Sequence, residues 1–163
     1  MIGLLPPAVA LSLVAVAAAL LTARSRRSAA DPSRLRDASR ALAVTAGIQA
    51  VHFAEELTTG FHEQFPALFG LPPMPLDLFV AANLVWLGIW SVSIAWIRRA
   101  HPVPLFAAWF LAVAGCANGV VHPLLALAAG GYFPGLFTSP FIGLAGFWLW
   151  RRLMRLSASF GVE

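Results

Sequence analysis

His52-Phe53-Ala54-Glu55-Glu56 is the stretch of this chain richest in chemistry. Residues three and four apart on an α-helix share a face, so His52, Glu55 and Glu56 project to one side. That face continues through Thr45, Gln49 and Thr59, while the opposite face is Ala, Ile, Val and Phe. An imidazole beside two carboxylates can do acid–base work. Two neighbouring carboxylates in a dry site do not both ionise easily. A second histidine, His122, follows Asn118 by four residues, again on one helical face. Two imidazoles and two carboxylates form a donor set that suits Zn, Fe or Mn. A metal of that kind makes hydroxide from water near neutral pH. His52, Glu55, Glu56 and His122 are therefore the candidate catalytic residues and the candidate metal ligands. Asn83 and Asn118 are candidates for orienting a substrate.

The elements that must position these residues are transmembrane helices. Of 163 residues, 60% are hydrophobic and only 11% charged, far below the roughly one quarter charged of a soluble domain. A helix needs about 20 apolar residues to cross the hydrocarbon core. Five stretches qualify, at about 2–23, 41–59, 76–97, 103–129 and 136–150. The expected fold is an all-α integral membrane bundle in one domain spanning 1–163. The stretch 24–40 reads as a polar linker with room for some helix, 60–75 as an irregular proline-broken outer lid, and 151–163 as a tail.

Charge placement sets the expected topology. The chain has no lysine, and its eleven arginines fall in three clusters: residues 24–40, Arg98 with Arg99, and Arg151, Arg152 and Arg155. With the amino terminus outside and the carboxyl terminus cytoplasmic, five spans place every arginine inside, as the positive-inside rule requires. Four spans would strand one cluster on the wrong side. No positive charge precedes the first apolar run, which favours an uncleaved anchor over a signal peptide. The expected location is multi-pass, in a bacterial cytoplasmic membrane. The net charge of +4 is then accounted for by anionic lipid headgroups, and nucleic acid is not an expected partner.

At 1.5 Å of rise per residue, His52 lies about 16 Å from the cytoplasmic end of its helix. Glu56 and Asn118 lie at about 22 Å and His122 at about 28 Å. Asn83 is about 10 Å below the outer end of its own helix. The polar groups of three helices thus share one layer in the outer half of the bilayer. Gly115 and Gly119 have the small-xxx-small spacing that lets helices approach closely. Pro123 removes a backbone hydrogen bond just after His122. His62 and Glu63 read as solvated loop residues and His101 as a surface group, while Trp96, Trp148 and Trp150 read as interface markers. One cysteine, Cys116, excludes an internal disulfide and a cysteine zinc cage. P-loop, GxGxxG, CxxC, HExxH and GxSxG signatures are absent.

The His-x-x-Glu-Glu stretch resembles the motif that names the HXXEE family of mainly bacterial membrane proteins. Phe65-Pro66, Asn83 and His122 follow in order. Tyr132-Phe133-Pro134-Gly135 with Thr138 and Pro140 is similar to that family's Tyr-x-Pro-Gly-x-x-Thr stretch. The resemblance covers about 41–150. It departs at Phe133, where a polar residue such as Asn is expected. It implies no established activity; Tyr132 joins the candidate substrate-binding residues with it. By architecture alone, the chain also resembles the emopamil-binding sterol isomerases, small multi-helix proteins with buried His and Glu.

These features lead to one expectation: an enzyme embedded in the membrane, acting on a lipid-like or hydrophobic substrate through a buried His/Glu site, with or without a divalent metal. The alternatives are a proton-coupled carrier using the same carboxylates and a structural membrane subunit.

Overall fold

The computed structural model describes residues 4–25, 31–99 and 101–157. The expected helix start at 2, the linker centre at 26–30 and the tail at 158–163 lie outside these residues. The described part is all-helical: α1 Leu5–Ser25, α2 Pro32–Thr58, α3 Phe61–Ala67, α4 Leu76–Trp96, a 3₁₀ turn Ile97–Arg99, α5 Pro102–Ala129 and α6 Ser139–Ser157.

α2 begins nine residues before the expected span. Asp31 caps it, accepting a 2.8 Å bond from the Ser33 amide, and Pro32 occupies a first-turn position that needs no donor. The Ser33 amide also holds the Asp31 carboxyl below its ordinary range. Residues 32–40 are helical rather than linker because Leu35, Ala38, Ala41 and Leu42 continue a buried stripe, while Arg34, Arg36 and Arg40 stay solvated. The expected irregular lid holds the short helix α3. Gly60 starts it at φ 82°, and the Met74 amide bonds to the His62 carbonyl at 2.9 Å, folding the proline-rich stretch back onto it. α6 is shifted from the expected 136–150, because the Glu55 contacts described below keep 136–138 in a turn.

α5 packs on α6, α1 and α4, while α2 lies against α6 and α4. The α5–α6 seam is backbone against backbone. A Cβ on Gly119 would stand 2.7 Å from Gly143 Cα, and one on Gly146 would stand 2.8 Å from the Cys116 amide nitrogen. The half of the core nearer the arginines is aromatic and tied by hydrogen bonds. Trp109 Nε1 donates to Ser25 Oγ at 3.0 Å, Trp90 Nε1 to the Ala107 carbonyl at 3.0 Å and Ser39 Oγ to the Ile94 carbonyl at 2.7 Å. Trp86 stacks on Phe110 with centroids 4.1 Å apart. Trp150 packs edge-on against Trp109 rather than serving only as an interface marker. Trp96 and Trp148 lie against Arg99 and Arg152.

The outside of the bundle is apolar. Leu13, Leu84, Val120, Leu127 and Leu144 are exposed, Leu127 to 78%. Among the described residues, three helices are long and apolar enough to cross a membrane: Leu5–Ser25, Leu76–Arg99 and Pro102–Ala129. Exposed apolar surface on this scale fits lipid rather than water as the surrounding solvent. At one end, Arg34 donates to the Arg155 carbonyl at 2.9 Å and Arg152 pairs with Asp37 at 3.3 Å. The site lies toward the other end.

Candidate functional site

α2 and α5 each deliver part of the site. Spacings of four, three and four residues on α2 align Thr45, Gln49, His52 and Glu56 on one face, and all four are buried. Thr45 Oγ1 bonds to the carbonyls of Ala41 and, on α6, Ala145. His122 reaches the same place from α5. His52 is 0% exposed, His122 2% and Glu56 7%. His52 Nε2 lies 3.6 Å from Glu56 Oε1, and His122 Nε2 lies 3.5 Å from the same oxygen. The two imidazoles meet edge to face, with centroids 4.7 Å apart. One donor atom from each residue lies within 4.8 Å of the others.

The turn between α5 and α6 closes over this group. The Pro134 carbonyl stands 2.7 Å from His122 Nδ1, and Thr138 Oγ1 stands 2.7 Å from His52 Nδ1. Gly135 fits between, at φ 86°. A Cβ there would come within 2.6 Å of His122 Nδ1 and 2.9 Å of His52 Cε1, so only glycine suits both the backbone and the space. Phe61 and Phe133 lie over His122 at centroid distances of 5.7 and 6.3 Å. Phe133, where the resemblance anticipates a polar residue, is buried in this apolar cover.

Glu55 does not join His52, Glu56 and His122. Its position is rotated about 100° from Glu56 on the helix, and its carboxylate takes four donors. Tyr132 Oη donates at 2.7 Å, the Phe137 amide at 3.0 Å, the Thr138 amide at 2.8 Å and Thr138 Oγ1 at 2.5 Å. Glu55 is thus a clamp on the turn and stands outside the group with His52, Glu56 and His122 that the sequence reading placed it in. Tyr132, expected to bind substrate, is engaged by that clamp. Partial burial, with the adjacent carboxylate, holds its phenol above the ordinary value, so it remains a donor at neutral pH.

Neither expected asparagine hydrogen-bonds to the three-residue group. Asn83 Nδ2 bonds to the Phe79 carbonyl of its own helix at 3.0 Å, and Asn118 is half-buried one turn before His122. His62 is not a solvated loop residue: it sits on α3 against Phe79, with exposed Glu63 beside it. His101 is exposed and caps α5 through Val103. Pro134 and Gly135 read in the sequence only as part of an outer turn, and Thr138 only through the resemblance; none was expected at the site. Their spacing carries no signal of its own, because contacts outside their own segment set their roles: Thr138 with His52 across 86 residues, Pro134 with His122 and Gly135 with both imidazoles.

Two imidazoles and one carboxylate can hold a divalent transition metal with a fourth position left for water or substrate. They can also pass a proton through Glu56. No family model matches the chain, nor does any curated protein or any solved structure, so the reading of the site rests on its own geometry.

Proposed function

We propose that this chain is a membrane-embedded enzyme acting on a hydrophobic or lipid-like substrate through the His52–Glu56–His122 centre. One observation carries this reading: three ionisable side chains are buried together inside a bundle whose outside is apolar. Placing such groups at membrane depth costs several kcal/mol, and helix adhesion does not require it, because neutral hydroxyl and amide side chains provide that adhesion. The Phe61 and Phe133 cover keeps water out and offers an apolar surface to a substrate arriving from the bilayer. Glu56 Oε1 lies 3.5–3.6 Å from both Nε2 atoms, just outside hydrogen-bond reach of either, so a small shift toward one of them would let it exchange a proton.

The same proposal includes five crossings, by α1, α2, α4, α5 and α6, in a bacterial cytoplasmic membrane. The amino terminus lies outside and the arginine end inside. The gathering of Arg34, Arg152 and Arg155 at one end supports it. Membership of the HXXEE family is part of the proposal too. Residues that carry that resemblance touch one another at the site: Glu55 with Tyr132 and Thr138, His52 with Thr138, and His122 with Pro134 and Gly135.

The test is turnover of hydrophobic metabolites. Total lipid extract is incubated with detergent-purified wild type or Glu56→Gln, then resolved by mass spectrometry. The expected result is an amphiphile consumed by wild type, with Glu56→Gln slower by about 100-fold or more, the lower range for a lost acid–base group. Equal profiles for two folded proteins would sink the reading. One observation favours a proton-coupled carrier instead: the buried Gln49 Oε1 lacks a hydrogen-bond partner and extends the polar stripe toward the arginine end. Glu56-dependent proton flux in proteoliposomes, with no lipid turned over, would select that reading.

A further inference from the structure

The hydrogen bonds around the two histidines fix where their protons sit. A carbonyl oxygen only accepts, so the 2.7 Å contact between Pro134 O and His122 requires the proton on Nδ1. Thr138 has one hydroxyl hydrogen, and it is committed to the Glu55 carboxylate, which already accepts from Tyr132 and two backbone amides. The Thr138 oxygen can then only accept from His52, which places that proton on Nδ1 as well. In the neutral rings both Nε2 atoms carry lone pairs, and both point at Glu56 Oε1.

Three electron-rich atoms therefore converge in a dry site. His52 Nε2 is buried and has no hydrogen-bond partner, a costly state for a polar atom. A proton on Glu56 satisfies one Nε2 and leaves the other bare. A cation among the three satisfies all of them. Ligand atoms bonded at about 2.0–2.1 Å in a tetrahedron stand about 3.3 Å apart; the two edges that meet at Glu56 are 3.6 and 3.5 Å, and the whole group lies within 4.8 Å, so the imidazoles would close slightly on a bound ion. Histidine ligands of such metals donate their other nitrogen to a carbonyl or a carboxylate-linked group. Both histidines here do so, one to Pro134 and one through Thr138 to Glu55.

We infer that His52 Nε2, His122 Nε2 and a Glu56 oxygen form a three-ligand site for one divalent transition metal of the zinc class, and that Glu55 is a positioning residue acting through Thr138. The two adjacent glutamates divide the work: Glu56 ligates, and Glu55 sets the tautomer of His52 and the seat of Gly135. The inference rests on the reading of this cluster as the working centre. When bound, such a metal supplies Lewis acidity and an activated water.

The test uses the full chain in detergent, stripped with chelator and titrated with Zn²⁺ or Co²⁺ alone. Wild type is expected to bind one ion per chain, with visible Co²⁺ absorption of a four- or five-coordinate site. His122→Ala and Glu56→Gln are expected to lose it. Glu55→Gln and Thr138→Val are expected to keep one ion per chain with affinity reduced about 10- to 100-fold. Thr138→Ser is expected to restore it. In the metal-free protein, ¹⁵N NMR of the imidazoles is expected to show Nδ1–H in both. Thr138→Val is expected to free His52 alone, His122 staying fixed by Pro134. Folded wild type that takes up neither ion, or an ion that survives Glu56→Gln, would overturn the metal site. A His52 tautomer indifferent to Thr138→Val would overturn the positioning role. Lipid turnover that needs Glu56 but no metal would leave the enzyme reading standing without this site; bound metal with no turnover would do the reverse.

Discussion

At Gly135 the site leaves no room for a side chain. Alanine there meets a left-handed backbone cost of roughly 1–2 kcal/mol and places a methyl against both imidazole rings. Gly135→Ala is therefore expected to lower the Tm in detergent and weaken Co²⁺ binding by more than 10-fold. Wild-type values for both would show that the turn does not seat the histidines. Glu55 makes a different prediction. Replacing its carboxylate with an amide turns one acceptor into a donor that faces other donors. Glu55→Gln is expected to speed hydrogen exchange of the Phe137 and Thr138 amides at least 10-fold, the Thr45 region of α2 remaining protected. Unchanged exchange at 137 and 138 would remove the clamp from the account. Sequence spacing puts each glutamate toward the His52 side but about 100° from the other, and leaves open which of them meets His122. Their division follows from the donors on the turn, which a helical wheel does not contain.

Between elements, the α5–α6 seam carries the strongest constraint. Added atoms on Gly119 or Gly143 meet backbone rather than a side chain that can rotate away. Gly119→Val is expected to destabilise by more than about 2 kcal/mol, in the range of overpacked cores, and to loosen His122 one turn on. Unfolding in mixed detergent micelles measures it. Gly88→Ala supplies the control: nothing lies within 4 Å of its added Cβ, and alanine in a helix gains roughly 0.5–1 kcal/mol over glycine. Equal stability of the two variants would contradict close α5–α6 packing. The small-xxx-small spacing of Gly115 and Gly119 is visible in the sequence. That its partner is α6, through Gly143 and Gly146, is not, because several neighbours could accept a smooth face.

For the molecule as a whole, the two ends differ in charge. α2 and α6 meet through Arg34, Asp37, Arg152 and Arg155 at one end, and the 132–138 turn meets Glu55 toward the other. In a Cys116→Ala background, single cysteines at Ser33 and Gly131 are expected to react with an impermeant thiol reagent from opposite faces of sealed vesicles, Ser33 from the cytoplasmic face. Labelling of both from one face would refute the five-span topology.

Taken alone, the sequence determined the helical class, the apolar exterior, the clustering of the arginines between apolar stretches and the alignment of His52 with Glu56. Each depends on period, composition or spacing within one segment, and helical geometry fixes these locally. Tertiary structure decided the rest. It brought His122 to Glu56, turned Glu55 away to the turn, gave Asn83 to its own backbone and seated Gly135 between two imidazoles. It also set the Nδ1 partners of both imidazoles, Thr138 and Pro134. Those outcomes depend on which helices touch and at what rotation, quantities set by packing across the bundle rather than by any one stretch of chain.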